Sequence, residues 1–322
     1  MIEFIPGNFK DLRDPWERIY KASDTRLLFS SPGWSELWWK HFGAGSELHL
    51  GEVRENGSVI GIAPLRVKEG ILYFIGSDNV CDFLDFPVES GKENLFFNTL
   101  LDHLTALEIS SMELTPVLPD SNVKRFLEAR AQDRGLTVSC SPEDVTLAMD
   151  LPGDLSSYLS LLSGKQRHEI LRKERRLNEE GEIVYRIMEE GSTNEIDTFL
   201  RFFRESREDK NKFLTDDMEV FFRDIIDMAA ADKMLQLGIL ELNKVQAAVT
   251  LCFTYQNDMY LYNSGYNPAY RLLSIGLLSK YFCIKRSIES GKRRFDFLKG
   301  AEKYKFHLGG SETQLFRCII KK

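Results

Sequence analysis

Asn56-Gly57 and Asn243-Lys244 stand 187 residues apart, each between two stretches read as strands. Both members of the Asn-Gly pair accept the positive φ that a two-residue hairpin turn demands, so the first marks a hairpin between strands at 47–54 and 58–67. A shift of about 187 residues lays 245–254 on 58–67, and a helical stretch at 275–290 on another at 92–107. Little residue identity accompanies the overlay; what repeats is the order of elements.

The first half predicts helices at 9–22 and 33–42, a meander of strands at 47–54, 58–67 and 71–75, and a helix at 92–107. A strand at 112–115, a helix at 121–134 and strands at 136–140 and 145–149 follow. Composition resets after Leu151-Pro152-Gly153, a breaker that sets the expected domains at 1–152 and 153–322. The second half predicts a helix at 155–180, a strand at 183–188, helices at 193–209 and 216–231, and strands at 234–242, 245–254 and 259–265. It ends with the helix at 275–290, a strand at 294–298, a short helix at 302–307 and a strand at 313–320. The expected fold class is α+β in two tandem halves, each a mixed, mostly antiparallel sheet flanked by helices.

Composition excludes several classes. At 43% hydrophobic and 28% charged residues the chain is neither disordered nor collagen-like, and no window approaches the uninterrupted apolar length of a transmembrane helix. The N-terminal residues show no basic region followed by an apolar one, so a cytoplasmic location is expected. The five cysteines, Cys81, Cys140, Cys252, Cys283 and Cys318, are scattered without a CxxC; neither disulfides nor zinc are expected, nor any other metal. A net charge of −7 does not recruit DNA. Residues 265–322, however, hold 13 Lys or Arg against 4 Asp or Glu, a local +9, which places any polyanionic ligand there.

The sharpest candidate lies inside that basic segment, where the strand at 259–265 hands over to the helix through Gly265-Tyr-Asn-Pro-Ala-Tyr-Arg-Leu-Leu-Ser-Ile-Gly276. Small residues at Ser274 and Gly276 let the chain turn into a helix whose orphan amides and positive dipole end suit a phosphate. Arg271 adds a charge-assisted bond to the same group; the plain alternative is an ordinary N-cap. The spacing R-x-x-S-x-G resembles the pyrophosphate loop R/Q-x-x-G-x-G/A of the GNAT superfamily of N-acyltransferases, with Ser in place of the first glycine. This resemblance implies acyl-CoA, most simply acetyl-CoA, held by Arg271, Leu273, Ser274, Ile275 and Gly276. The first half offers only Ser90-Gly91-Lys92-Glu93 before its helix, so it carries no phosphate loop and is expected on the acceptor side.

Asp296-Phe297-Leu298-Lys299-Gly300-Ala301-Glu302-Lys303-Tyr304-Lys305-Phe306 is similar to the D-F-x-x-G-x-E-x-Y-K signature of CelD-like acetyltransferases. Trp34-x-x-x-Trp38-Trp39, Ile62-Ala63-Pro64-Leu65, Gly76-Ser-Asp78 with Asp82-Phe-Leu-Asp85, and the stretch from Leu162 to Arg172 extend the resemblance along nearly the whole chain. Members are similar to Fem-type aminoacyl-tRNA transferases, which carry an aromatic-Lys pair where Tyr304-Lys305 stands. The resemblance implies that Lys305 polarises the acyl carbonyl, that Tyr304 protonates the departing thiolate and that Glu302 serves as general base, with Asp296 a further catalytic candidate. Each has a structural alternative: packing for Tyr304, helix-dipole complementarity for Glu302, and capping or pairing with Arg293 or Arg294 for Asp296.

Residues 164–176 hold six Lys or Arg, read either as a solvated helix face or as a substrate clamp of Lys165, Arg167 and Arg172. Asp78, Asp82 and Asp85 lack the spacing of a metal loop and are read as turn formers or as cleft carboxylates, with Asp78 and Asp82 on the substrate side. Trp34 and Trp38 read as core. The expected activity is therefore direct transfer of an acyl group from acyl-CoA to an amine of a small-molecule or glycan-like acceptor. The alternatives are a Fem-type transferase dependent on aminoacyl-tRNA, and an inactive GNAT-fold binding protein.

Overall fold

A computed structural model of the chain describes residues 1–23, 25, 28–77, 79–107 and 109–322. In chain order the first elements are β1 (Ile2–Pro6), α1 (Phe9–Ala22), α2 (Pro32–Phe42), β2 (Glu47–Glu55), β3 (Ser58–Lys68), β4 (Ile71–Phe74), α3 (Glu93–Thr105), β5 (Ser111–Val117), α4 (Glu128–Asp133) and β6 (Thr137–Asp150). They continue as α5 (Leu155–Leu161), α6 (Gly164–Glu179), β7 (Ile183–Met188), α7 (Thr193–Ser206), α8 (Glu208–Phe213), α9 (Asp216–Ala231), β8 (Leu235–Leu242), β9 (Val245–Tyr255) and β10 (Asp258–Tyr266). The last are α10 (Ile275–Glu289), β11 (Arg294–Lys299), α11 (Lys303–His307) and β12 (Ser311–Lys321).

The chain forms two compact units, one of Met1–Val145 with Thr313–Lys322 and one of Thr146–Glu312. The division thus falls inside β6 rather than at the expected 152/153, and the final strand counts with the first unit. The reason is backbone pairing: Thr146 to Asp150 run antiparallel to Lys299 to Arg294, and the Leu151 amide continues this by donating to the Arg293 carbonyl.

In the first unit the strands follow the order β1-β2-β3-β4-β5-β12. Glu55 pairs with Ser58 around Asn56 and Gly57, whose φ values of 51° and 86° are those the hairpin turn requires. β4 and β5 pair in parallel through Ile71 to Tyr73. Two expectations need correction here. A disulfide joins Cys140 on β6 to Cys318 on β12, strands that neighbour one another, with their Cα atoms 4.1 Å apart. An odd cysteine count does not exclude one pair, and a separation of 178 residues hides the adjacency that the sheet creates. The predicted strands 136–140 and 145–149 are also one continuous β6, and β1 was not anticipated. Trp34 and Trp38 are buried, as core residues should be.

The second unit repeats the pattern. Its order is β7-β8-β9-β10-β11, with the end of β6 beyond β11. Leu242 pairs with Val245 around Asn243 and Lys244, at φ 52° and 66°. As with β4 and β5, two antiparallel ladders lead to a parallel one, between β10 and β11. β9 is buried without interruption from Ala247 to Phe253, as a strand covered on both faces must be; α7 and α10 both pack on it. The predicted helix at 155–180 breaks at Leu162-Ser163, where Ser163 and Gln166 form a capping box that starts α6. Likewise the helix predicted at 193–209 divides at Arg207, whose backbone is extended, into α7 and α8.

Candidate functional site

The parallel pairing of β10 with β11 covers only Asp258 to Tyr260 against Arg294 to Asp296. Register shifts follow at once, between Leu261 and Asn263 on β10 and between Asp296 and Leu298 on β11. Beyond them both strands run on without a ladder between them among the described residues, so their carboxyl ends part. In sheets of this kind ligands enter outside the carboxyl ends of such strands. β10 leads into the start of α10 and β11 into α11, which brings the two segments singled out in the sequence to the same end of the sheet.

On the β10 side a 3₁₀ turn spans Pro268–Leu273, started by the Asn267 side chain, which accepts from the Ala269 amide at 3.0 Å. Ser274 follows in the left-handed region at φ 57°, ψ 31°. This is a conformation glycine adopts freely, which explains why a serine here departs from the pattern and costs about 1 kcal/mol. The Ser274 amide donates to the Arg271 carbonyl at 3.1 Å, while its own carbonyl accepts from Leu277 and Leu278. Ile275 and Gly276 open α10, where first-turn amides have no partner within the helix. A Cβ on Gly276 would sit 2.9 Å from the Tyr266 ring, so close packing also requires this glycine. Arg271 is exposed, Leu273 half-buried and Ile275 fully buried.

On the β11 side, Lys305 is buried and its ammonium donates to the carbonyls of Leu298 at 2.9 Å, Lys299 at 2.5 Å and Gly300 at 3.0 Å. Glu302 Oε2 lies 2.9 Å from the same nitrogen. Four acceptors therefore share three protons. Asp296 is also fully buried, and its Oδ1 accepts from the Leu298 amide at 2.9 Å and lies 3.4 Å from the Thr146 hydroxyl. Asp296 and Lys305 together hold the bend at Leu298, whose φ is 63°. Glu302 is exposed, and Tyr304 half-buried with its ring 6.4 Å from that of Phe297.

Two lysines absent from the sequence reading join this group. Gly265 lets α7 close on β10, since a Cβ there would meet the Phe203 amide nitrogen at 2.3 Å. The following α8 then carries Lys210 to the Ser264 carbonyl, at 2.5 Å. From α10, Lys280 turns back to the Gly276 carbonyl at 2.7 Å and stands 4.9 Å from the centre of the Tyr304 ring. Burial, aided by the like charges of Lys280 and Arg207, pushes the Lys210 ammonium down to about 7. Burial likewise brings Lys280 down to about 8, against the opposing pull of Cys252, Glu302 and Cys283. Lys280 stands in a largely apolar run, Leu277-Leu278-Ser279-Lys280-Tyr281-Phe282, which is the signal that could have found it; Lys210, within Asp209-Lys210-Asn211-Lys212, offers none.

The remaining candidates are dispersed. Gln166 on α6 donates to the Phe306 carbonyl at 3.0 Å, which sets the start of α6 against α11. Lys165 and Arg172, seven residues apart, share one exposed side of α6, and Arg167 points away from both at 3.6 residues per turn. The helix therefore does not gather the three into one clamp. In the first unit Asp78 lies outside the described residues, and Asp82 is half-buried in the turn-rich segment after β4. Nearby Asp85 is buried, accepts from the Asn122 amide at 2.7 Å and the Phe86 amide at 2.9 Å, and burial pushes its carboxyl up to about 7. Among the described residues no three His, Cys, Asp or Glu side chains form a metal cluster, and no helix is long and apolar enough to cross a membrane.

Comparison with known proteins bears on the fold. A family model described as an acetyltransferase (GNAT) domain matches residues 164–306. The crystal structure of FemX is 13% identical with a TM-score of 0.69, over 98% of this chain and 96% of that one. A tandem GNAT protein from the clavulanic acid biosynthesis pathway is 12% identical with a TM-score of 0.51, over 99% and 98%. The C-terminal domain of a putative lysylphosphatidylglycerol synthetase from Agrobacterium fabrum is 9% identical with a TM-score of 0.61, over 97% and 92%. No curated protein matches in sequence. The fold is thus an α+β GNAT-like one in two halves, of the kind used by acyltransferases.

Proposed function

We propose that the chain is an N-acyltransferase that moves an acyl group, acetyl in the simplest case, from acyl-CoA directly onto an amine of a small-molecule or glycan-like acceptor. The parting of β10 and β11, with the first turn of α10 at its end, is the observation that carries this reading. The β10 edge beyond Leu261 is then available for the amide groups of a pantetheine arm, and the start of α10 together with Arg271 for the diphosphate.

The neutral acceptor amine attacks the acyl carbon, the new C–N bond forms as the C–S bond breaks, and the amine's proton must leave. Holding both reactants in one site removes much of the entropic barrier. Glu302, exposed and tethered to Lys305, is suited to take that proton. Because four acceptors share the three Lys305 protons, one can be exchanged for the acyl oxygen, which the ammonium then stabilises as it gains charge. Tyr304 then protonates the departing thiolate, and Asp296 keeps to the bend below.

Transfer from aminoacyl-tRNA, as in Fem-type enzymes, is the second reading. What favours it is that the Ser274 amide is already bonded and Gly276 lies under Tyr266, which leaves fewer donors for a diphosphate. Isothermal titration with acetyl-CoA, CoA and desulfo-CoA, followed by a thiol-release screen over amino sugars, polyamines and amino acids, tests the first. Micromolar binding with acceptor-dependent thiol release supports it. Absence of CoA binding combined with salt-sensitive retention of tRNA would transfer the case to the second.

A further inference from the structure

Lys210 and Lys280 have more donors than partners. Each ammonium carries three protons, and each has one acceptor among the described residues: the Ser264 carbonyl for Lys210 and the Gly276 carbonyl for Lys280. Neither forms an ion pair among the described residues, although Lys280 is only 8% exposed. Lys280 is close enough to destabilise the charge on Lys210, and is the largest cause after burial of the fall in Lys210. Of the titratable groups around them, Arg207 and Lys305 add to the repulsion, and Cys252, Cys283, Asp209 and Glu302 oppose it. Glu302 is committed to Lys305 at 2.9 Å. A buried cation such as Lys280, and a half-buried one such as Lys210, without a carboxylate ion pair is unfavourable unless something neutralises it. Both are held on backbone carbonyls at the end of the sheet where β10 and β11 part, one over the Phe203 ring at 4.5 Å and the other over Tyr304.

We propose that Lys210 and Lys280 form a binding site for one anionic oxygen group, phosphate or carboxylate, of the substrate that enters between β10 and β11. The location rests on the acyltransferase reading; the anion site does not require that transfer occur. The group comes either from the diphosphate side of the acyl donor or from an acidic acceptor such as an amino acid or sugar phosphate. An anion between the two lysines restores their protons, so binding takes up protons from solution at pH 8, and affinity for a fixed-charge anion falls about tenfold per pH unit above that for each proton taken up.

The test is calorimetric titration of the full chain with inorganic sulfate, whose charge is constant in this range, at pH 8 in two buffers of different ionisation heat. Sulfate binding with proton uptake is expected. Lys210→Met and Lys280→Met should each weaken it at least tenfold, and Lys210→Arg should retain affinity while reducing the uptake, with circular dichroism showing each variant folded. Competition by acetyl-CoA assigns the anion to the donor; simultaneous binding of both assigns it to the acceptor. Absence of sulfate binding, or binding that the folded methionine variants leave unchanged, overturns the proposal. A chain that binds sulfate through these lysines but never releases thiol keeps the anion site and loses the acyltransferase reading.

Discussion

Replacing Lys305 by methionine keeps the aliphatic stem and removes only the ammonium, so the outcome measures what that charge holds together. Three carbonyls lose their donor, and they are not equivalent. Leu298 is 2% exposed, so its oxygen cannot be rehydrated, whereas Lys299 and Gly300 are half-buried. Counting about 2 kcal/mol for the stranded Leu298 carbonyl and about 0.5 for each of the others gives a loss of about 3 kcal/mol. Glu302 adds little, because its carboxylate is 45% exposed and regains water. For a unit of this size that loss lowers the melting temperature by about 6–12 °C. Scanning calorimetry of Lys305→Met beside Glu302→Gln checks the partition: the first should fall by that amount and the second should move little. If Lys305→Met melts within about 2 °C of the parent, the carbonyl cage contributes nothing and the bend at Leu298 is held by Asp296 alone.

Ser274→Gly removes a left-handed serine and should stabilise the chain by about 1 kcal/mol in urea unfolding, without weakening acetyl-CoA binding. Gly276→Ala drives a Cβ into the Tyr266 ring and should lower both stability and CoA affinity, measured by the same unfolding curve and by calorimetry. Asp85, with its folded pKa raised to about 7 by burial, binds a proton in the folded state that the unfolded chain releases near pH 4. Stability should therefore fall as pH rises from about 4 to 7, and Asp85→Asn should flatten that slope in urea titrations at several pH values. Cys140→Ser opens the link to Cys318 and should lower stability by about 2–5 kcal/mol, with dithiothreitol producing the same change in the parent and none in the variant.

The hairpin at Asn56-Gly57 was legible because both turn residues accept a positive φ, and together with the junction at Asn243-Lys244 it anchored the repeated order of elements. What local pattern could not supply was partner choice. Cys140 and Cys318 meet only because β6 and β12 become neighbours, and β6 extends from one unit into residues of the other where a sequence breaker further on had suggested a boundary. The segment from Asp296 to Lys305 could be read from its motif, yet not the fact that Asp296 faces its own backbone. Lys165, Arg167 and Arg172 looked like a clamp in one dimension; seven-residue spacing joins two of them and helical geometry separates the third. Lys210 is one hydrophilic residue among several until Gly265 admits α7 to the strand beside it.

That residues 313–322 complete the first unit has a consequence for biosynthesis. β5 waits for a strand that the ribosome delivers only after the intervening unit, so the amino-terminal portion cannot finish its sheet while that unit is being made. Pulse-chase proteolysis of nascent chains should accordingly show protection of 146–312 before that of 1–145, an inversion of the usual vectorial order.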